Sequence, residues 1–326
     1  MSIEAIWYQQ HPLRFLLLPF SWLFCLIACT RRWLYQTGKL KRYRAPVPVI
    51  VVGNISVGGT GKTPLVIWLS QFLQQHGYQP AIVSRGYGAK IKSPPVFVTV
   101  DSTAEQVGDE PLLIATHTGC PVAIAPKRAQ AIQAVLAKNP QCDCIICDDG
   151  LQHYAIERDI EIAVIDGVRG YGNQHCLPAG PLREPVTRLQ WVDFMVVNGT
   201  VPHADAFSMH YHSDAVHPFD ATIKACSLRS FTGQQVHAVA GIGHPEKFFT
   251  LLREKGLKPI CHPFPDHHHY QANDIQFADN LPVIMTEKDA VKCESFALSQ
   301  HWFLPIRAQL DPSLGHEILE QLAQVS

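Results

Sequence analysis

The sequence predicts an α/β protein: a mostly parallel sheet with helices on both faces, a smaller C-terminal α/β domain, and an N-terminal membrane-associated helix. Three observations predict it. Apolar runs of β-branched residues alternate with helical segments from residue 47 onward, as strands buried on both faces do. A stretch rich in Gly, Thr, Pro, His and Asp near 198–207 reads as a linker, and a second α/β pattern follows it. An uncharged 16-residue run, 15–30, precedes a cluster of basic residues. The expected division is 1–46 for the membrane-associated segment, 47–205 for the larger domain and 206–326 for the smaller one.

Composition agrees. A chain of 326 residues with 47% apolar and 17% charged residues is too hydrophobic for a disordered protein and long enough for a sizeable core. Its glycines and prolines have no period, which excludes collagen-like and low-complexity classes. The formal net charge of −1 hides an asymmetry. Residues 5–100 contain 11 Lys/Arg and no Asp or Glu, leaving 16 basic and 28 acidic residues elsewhere. A basic first third suggests that this end meets something anionic.

The run 15–30 falls short of the ~20 residues that span a bilayer comfortably. It is followed by Arg31, Arg32, Lys39, Lys41, Arg42 and Arg44, with Trp22, Trp33, Tyr35 and Tyr43 nearby. Aromatic and cationic side chains in this position suit the headgroup layer of an anionic membrane surface. A helix partly embedded in the cytoplasmic leaflet is therefore expected, with a full span and a buried core helix as the alternatives. Leu26-Ile27-Ala28-Cys29 resembles a lipoprotein cleavage box, but the basic cluster after the apolar run opposes export.

Strands are expected at 47–52, 81–84, 96–100, 122–125, 144–147, 162–165 and 194–197, with helices at 63–76, 110–118 and 127–138. In the second pattern, strands are expected near 222–226, 236–240, 281–285 and 302–306, and helices near 244–254 and 312–323. Ten cysteines without framework spacing read as reduced, mostly buried thiols. Cys144 and Cys147 form a CxxC within an apolar run. Core packing is the expected role, because no second CxxC exists to complete a zinc site.

The chemistry begins at Gly58-Gly59-Thr60-Gly61-Lys62-Thr63, between a buried strand and a helix. Glycines let backbone N–H groups face phosphate oxygens, and the helix N-terminus adds a positive dipole. Lys62 suits the β- and γ-phosphates and Thr63 suits Mg²⁺, so the larger domain reads as P-loop NTPase-like with ATP as ligand. Ser56 stands where the full pattern has its first glycine and Val57 completes the loop. Two other P-loop classes fit less well. Val57 replaces the extra lysine of partition-type ATPases, and Thr286-Glu287-Lys288-Asp289 lacks the asparagine of a GTPase base-reading motif.

Carboxylates supply further candidates. Asp148 and Asp149 end an apolar strand, where a P-loop protein places a Mg²⁺ ligand. Asp109 and Glu110 precede a helix, where capping alone would explain acids. A kinase also needs a carboxylate to take the acceptor proton, and Asp109 suits that role. Arg183 and Glu184 lie on a proline-bounded loop, 178–185, and Arg suits bidentate phosphate recognition. Asp266-His267-His268-His269-Tyr270 is the densest titratable cluster. Successive side chains point different ways, so a metal site there is less expected than one catalytic or substrate-binding His.

Together the strings VVGNISVGGTGKTP, SRGYG, GDEP, DDGLQH, LPAGPLREP, PDHHHY and TEKDAVK, in this order from residue 51 to 292, resemble the tetraacyldisaccharide 4′-kinase family. The resemblance implies an ATP- and Mg²⁺-dependent kinase at the cytoplasmic face of the bacterial inner membrane, peripheral or monotopic. It implies as acceptor the 4′-hydroxyl of an acylated glucosamine disaccharide 1-phosphate, a lipid A precursor. Carried onto this chain, Asp109 is the base, assisted by His267, with Lys62 as the third catalytic residue. Ser56, Val57, Gly58, Gly59, Thr60, Gly61, Lys62, Thr63, Asp148, Asp149, Arg183 and Glu184 are the nucleotide-site candidates. Thr63, Glu110 and Asp149 are the metal candidates. No nucleic acid and no obligate protein partner is inferred. A membrane-bound regulatory P-loop ATPase switch is the competing reading; it would not need a carboxylate–histidine pair.

Overall fold

The computed structural model describes residues 3–9, 11–91, 93–99, 101–199, 205–213, 215–220 and 222–325. Two sheets organise them. The first has nine strands: β1 (Val49–Gly53), β2 (Pro80–Ser84), β3 (Val96–Val98), β4 (Val122–Ile124), β5 (Cys144–Cys147), β6 (Ile160–Asp166), β7 (Phe194–Asn198), β8 (Ala206–His212) and β15 (Arg307–Leu310). Their order is β15-β8-β7-β6-β1-β5-β2-β4-β3. All pairings from β8 to β4 are parallel, and the two edge strands β15 and β3 are antiparallel.

The second sheet has the order β10-β9-β14-β13-β11-β12. Its strands are β9 (Ala215–Pro218), β10 (Cys226–Ser227), β11 (Gln235–Ala240), β12 (Lys258–Pro263), β13 (Val283–Thr286) and β14 (His301–Leu304). The helices are α1 (Ile3–Tyr8), α2 (Arg14–Gln36), α3 (Lys62–Gln75), α4 (Ala104–Val107), α5 (Asp109–Thr118), α6 (Arg128–Lys138), α7 (Pro245–Glu254), α8 (Ala272–Ile275), α9 (Glu287–Cys293) and α10 (Pro312–Val325).

β1 shows why an unbroken apolar run marks a central strand. Ile50 and Val52 enter the core on one face of the sheet, and Val49 and Val51 enter the core on the other. Alternation then leaves no position for a polar side chain. Cys144 and Cys147 divide between the same two cores, so the CxxC is packing.

Several elements depart from the expected pattern: β9 is an added strand, and of the strand expected near 222–226 only Cys226 is in β10, with 222–225 irregular. Residues 206–212, read partly as linker, form β8 of the first sheet; residues 200–204 of that stretch, and Val100 of the expected strand 96–100, lie outside the described residues. β15 pairs with β8, and Leu314, Ile318 and Leu322 of α10 bury into the first sheet's core. The C-terminal tail therefore returns to the larger unit, and a single cut at 205/206 does not follow the sheets. The reason is burial: the apolar face of α10 is covered by the first sheet and by α3, whose Phe72 packs against Gly315. β12 was not expected because Pro259 and Pro263 interrupt its pattern; as an edge strand it tolerates them.

The helix extends past the apolar run 15–30 on both sides, so α2, at 23 residues, is long and apolar enough to cross a membrane. One face nevertheless packs on the first unit. Ser21 Oγ donates to Cys176 O at 2.6 Å, Cys25 joins the core, Arg32 lies 5.4 Å over the Trp191 ring and the Tyr35 ring lies 6.4 Å from Tyr154. Those contacts extend over ~21 Å of helix at 1.5 Å per residue. The opposite stripe, Leu16, Phe20, Leu23 and Ile27, is exposed at helical spacing.

Candidate active site

The P-loop runs from the C-terminal end of β1 into α3. Gly61 caps α3 at φ 103°, a backbone conformation that disfavours a side chain. The loop is braced from outside by the segment 178–183. Val57 N donates to Pro181 O at 2.8 Å and Arg183 N donates to Ile55 O at 2.6 Å. Because β5 is the parallel neighbour of β1, its C-terminal end brings Asp148 and Asp149 beside the loop.

Asp149 takes a left-handed conformation, φ 46°. Its carboxylate accepts from Arg183 Nη1 at 3.0 and 3.1 Å and stands 3.5 Å from Lys62 Nζ. Burial favours its neutral form, yet Lys62, Arg183 and Arg128 pull it down to about 2. Asp148 lies deeper. Its Oδ2 accepts from Ser84 Oγ at 2.9 Å, while its buried Oδ1 has no hydrogen-bond partner. Burial, with Glu110 and Asp149 nearby, pushes it up to about 7.

Asp109 begins α5, where the helix dipole favours a carboxylate. Across the cleft, His267 Nδ1 donates to Asp109 Oδ2 at 3.0 Å. Lys292 Nζ stands 3.6 Å and Lys288 Nζ 4.0 Å from the same oxygen. Burial alone would raise Asp109; the His267 hydrogen bond and the two ammonium groups instead hold it well below the usual carboxylate range. The same hydrogen bond raises His267. Lys288 also reaches Glu110 at 2.9 Å and Asp266 at 3.2 Å.

The two units thus enclose a cleft of about 1030 Å³, walled by the P-loop residues 57–63, Glu110, Asp149 and Arg183 on one side and by Gly243, Lys247, Asp266, His267 and Lys288 on the other. At its nucleotide end a Cβ on Gly243 would stand 2.9 Å from Gly59 N, so the units meet there.

Most sequence candidates converge here, with exceptions. Glu184 faces away: its buried carboxylate accepts from Gln152 Nε2 at 3.0 Å and from the Tyr154 hydroxyl, with Arg188 3.8 Å distant. Burial beneath the loop makes it a support for the 178–185 segment and not a cleft contact. Ser56 is buried and bridged to Leu182, off the cleft wall. Among the metal candidates, Asp149 is engaged by two cations and Glu110 by Lys288, whereas Asp148 carries the partnerless oxygen. His268 is drawn off to Asp274 at 3.1 Å. Among the described residues no three His, Cys, Asp or Glu side chains form a metal-ligating group.

Lys288, Lys292, Lys247 and Arg128 are site residues to which the sequence assigned no role, although Lys288 and Lys292 stand in the TEKDAVK string. Lys288 and Lys292 had a usable signal, since i,i+4 lysines share one helix face. Arg128 had none: its Nη2 clamps the carbonyls of Asp148 and Asp149 at 3.1 and 2.8 Å, a contact between distant segments.

Comparison with known proteins gives concordant matches. A family profile described as "Tetraacyldisaccharide-1-P 4'-kinase" matches residues 13–323. A "Tetraacyldisaccharide 4'-kinase" of Nitrosococcus oceani is 50% identical over 99% of this chain and 95% of its own length. One of Methylobacillus flagellatus is 48% identical over 99% of this chain and 96% of its own. Among solved structures, that of the "apo" form of LpxK from Aquifex aeolicus in complex with ATP has a TM-score of 0.80 at 29% identity, covering 95% of this chain and 99% of that one.

Proposed function

The chain belongs to the tetraacyldisaccharide-1-P 4'-kinase family, and from that premise we propose how its own residues carry the reaction. The protein is a kinase that transfers the γ-phosphate of ATP to the 4′-hydroxyl of a tetraacylated glucosamine disaccharide 1-phosphate, a lipid A precursor. The observation carrying the residue-level reading is the convergence, in one cleft, of the P-loop with a carboxylate–histidine pair drawn from opposite units.

The P-loop backbone and Lys62 bind the phosphates. Arg183, beside Lys62 on Asp149, adds a guanidinium to the charge that develops in transfer. Asp109 receives the proton of the 4′-hydroxyl as its oxygen bonds to phosphorus and the bond from phosphorus to ADP breaks. A carboxylate this strongly stabilised is a weak base, so the proton moves late, once the forming P–O bond has acidified the hydroxyl. His267 orients Asp109 and keeps it ionised.

The residues fit a Mg²⁺ ion. Asp148, Asp149 and Glu110 crowd negative charge together, and Asp148 Oδ1 is buried without a partner, a costly state that a cation would relieve. Thr63 and Glu110 of the cleft wall would hold it together with Asp148, which lies deeper. When bound, it neutralises phosphate charge and aligns the β- and γ-phosphates.

The reading places the chain at the cytoplasmic face of the inner membrane, peripheral or monotopic. Its support is α2, docked by one face and apolar on the other, with the basic cluster at its end. No nucleic acid or obligate protein partner enters the scheme. The test is ³²P transfer from ATP to an acylated disaccharide 1-phosphate in detergent micelles; ATP hydrolysis without labelled lipid would refute the acceptor.

A further inference from the structure

Arg169 belongs to none of the motifs used above. It follows a turn in which Asp166 Oδ1 accepts from the backbone N–H groups of Val168 and Arg169 at 2.9 and 3.0 Å. Asp166 Oδ2 accepts from Lys247 Nζ at 2.7 Å, one tie between the two units. The Arg169 side chain, 16% exposed, makes another. Its Nη2 donates to Gly243 O at 3.0 Å and to Glu4 Oε1 of α1 at 2.9 Å, and its guanidinium lies 5.3 Å over the Tyr8 ring. Nη1 stands 3.4 Å from where a Cβ on Gly58 would be. One side chain thus bonds the C-terminal unit and the N-terminal helix and lies beside Gly58 of the P-loop. Val168, Gly243 and Gly58 wall the cleft, but Arg169 does not.

α1 is fastened to the same stretch of chain. Trp7 Nε1 donates to Pro178 O at 3.0 Å, Asn173 N donates to Trp7 O at 2.9 Å and Asn173 Nδ2 donates to Ile6 O at 3.2 Å. That stretch continues into the 178–183 segment bracing Val57 and Ile55 of the P-loop. α1, residues 166–183 and the P-loop are therefore hydrogen-bonded in series, and Gly243 attaches to the series through the Arg169 guanidinium.

We infer that Arg169 is a positioning residue for phosphoryl transfer: braced by Glu4 of α1, it holds Gly243 of the C-terminal unit against the P-loop. The inference rests on the kinase reading and extends it, since it gives the N-terminal segment a part in the nucleotide end of the cleft as well as at the membrane. A planar guanidinium serves two acceptors at once in fixed geometry, which an ammonium on a flexible stem does not. Without it, Gly243 separates from Gly59 and the cleft opens where the nucleotide lies. The Asp109–His267 pair, on the acceptor side, stays intact.

The test is steady-state kinetics of the full chain in detergent micelles, with ATP and acceptor lipid varied separately. Arg169→Met is expected to raise KM for ATP ~10-fold or more and leave KM for lipid within about twofold, since small displacements at a transfer site are costly. Arg169→Lys should fall between it and wild type. Glu4→Gln should raise KM for ATP ~2- to 5-fold, because Glu4 is half exposed and its ion pair is weak. Combining Glu4→Gln with Arg169→Met should add nothing. Unchanged ATP kinetics in Arg169→Met would overturn the inference. So would a strong Arg169→Met effect with a silent Glu4→Gln, or an equal rise in both KM values, which reports general loosening. Lys62→Ala in the same assay tests the kinase reading itself: undiminished transfer there rejects the P-loop assignment, whereas a silent Arg169→Met beside an inactive Lys62→Ala rejects only the role of Arg169.

Discussion

His267 Nδ1 lies 3.0 Å from Asp109 Oδ2, joining residues 158 positions apart and contributed by opposite walls of one cleft. Neither residue has this partner unless both units are in place, so the pair reports closure directly. If the two act as one unit, their losses will not multiply. His267→Ala is expected to be severe, and adding Asp109→Ala to cost little more, in a double-mutant cycle on kcat. Multiplying losses would show independent roles. His268→Ala is the control and should be milder, since that ring is committed to Asp274.

Asp109→Asn keeps the shape and removes the basicity. A fall in kcat of about 10²- to 10⁴-fold is expected, with ATP affinity little changed. Loss of ATP binding, with rate recovered at high nucleotide, would assign Asp109 to the metal instead.

Lys62→Ala removes the ammonium that the P-loop presents to phosphate. A loss on the order of 10³-fold in transfer is expected, comparable to removal of another preorganised charge contact. Circular dichroism must show a folded variant for the result to count.

Membrane attachment is best tested on the exposed face of α2, because removing the helix would also uncover Ser21, Cys25 and the surface they cover. The triple variant Leu16→Glu, Leu23→Glu, Ile27→Glu should move the protein from the membrane fraction to the soluble one. It should raise KM for lipid and leave KM for ATP unchanged. An unaltered membrane fraction would mean that another surface anchors the chain.

His153 supplies a pH prediction. Burial first, then Arg128, Arg158, Arg31 and Arg85, depress it from 6.5 to about 4. The unfolded chain therefore binds the proton more readily, so stability is full above about pH 6.5 and falls as pH drops toward 4. Thermal melting of His153→Gln across that window should show a flatter acid limb than wild type. Parallel curves would exclude the effect.

The sequence alone determined what depends on neighbours along the chain. The P-loop between β1 and α3 was legible because phosphate binding needs consecutive backbone N–H groups and a helix start. β1, β5 and β6 were legible because burial on both faces leaves unbroken apolar runs. The tertiary structure decided what depends on distant segments. Pairing with β8 and the cover of the first sheet, not local pattern, return β15 and α10 to the larger unit. Depth of burial separates Asp148, with its partnerless oxygen, from Asp149, claimed by Lys62 and Arg183. It also turns Glu184 inward to Tyr154 while its neighbour Arg183 faces the cleft. Ionisation follows the same division: a carboxylate's charge is set by the dielectric and the cations that folding places around it, and Asp109 meets His267, Lys288 and Lys292 only across the cleft between the two units.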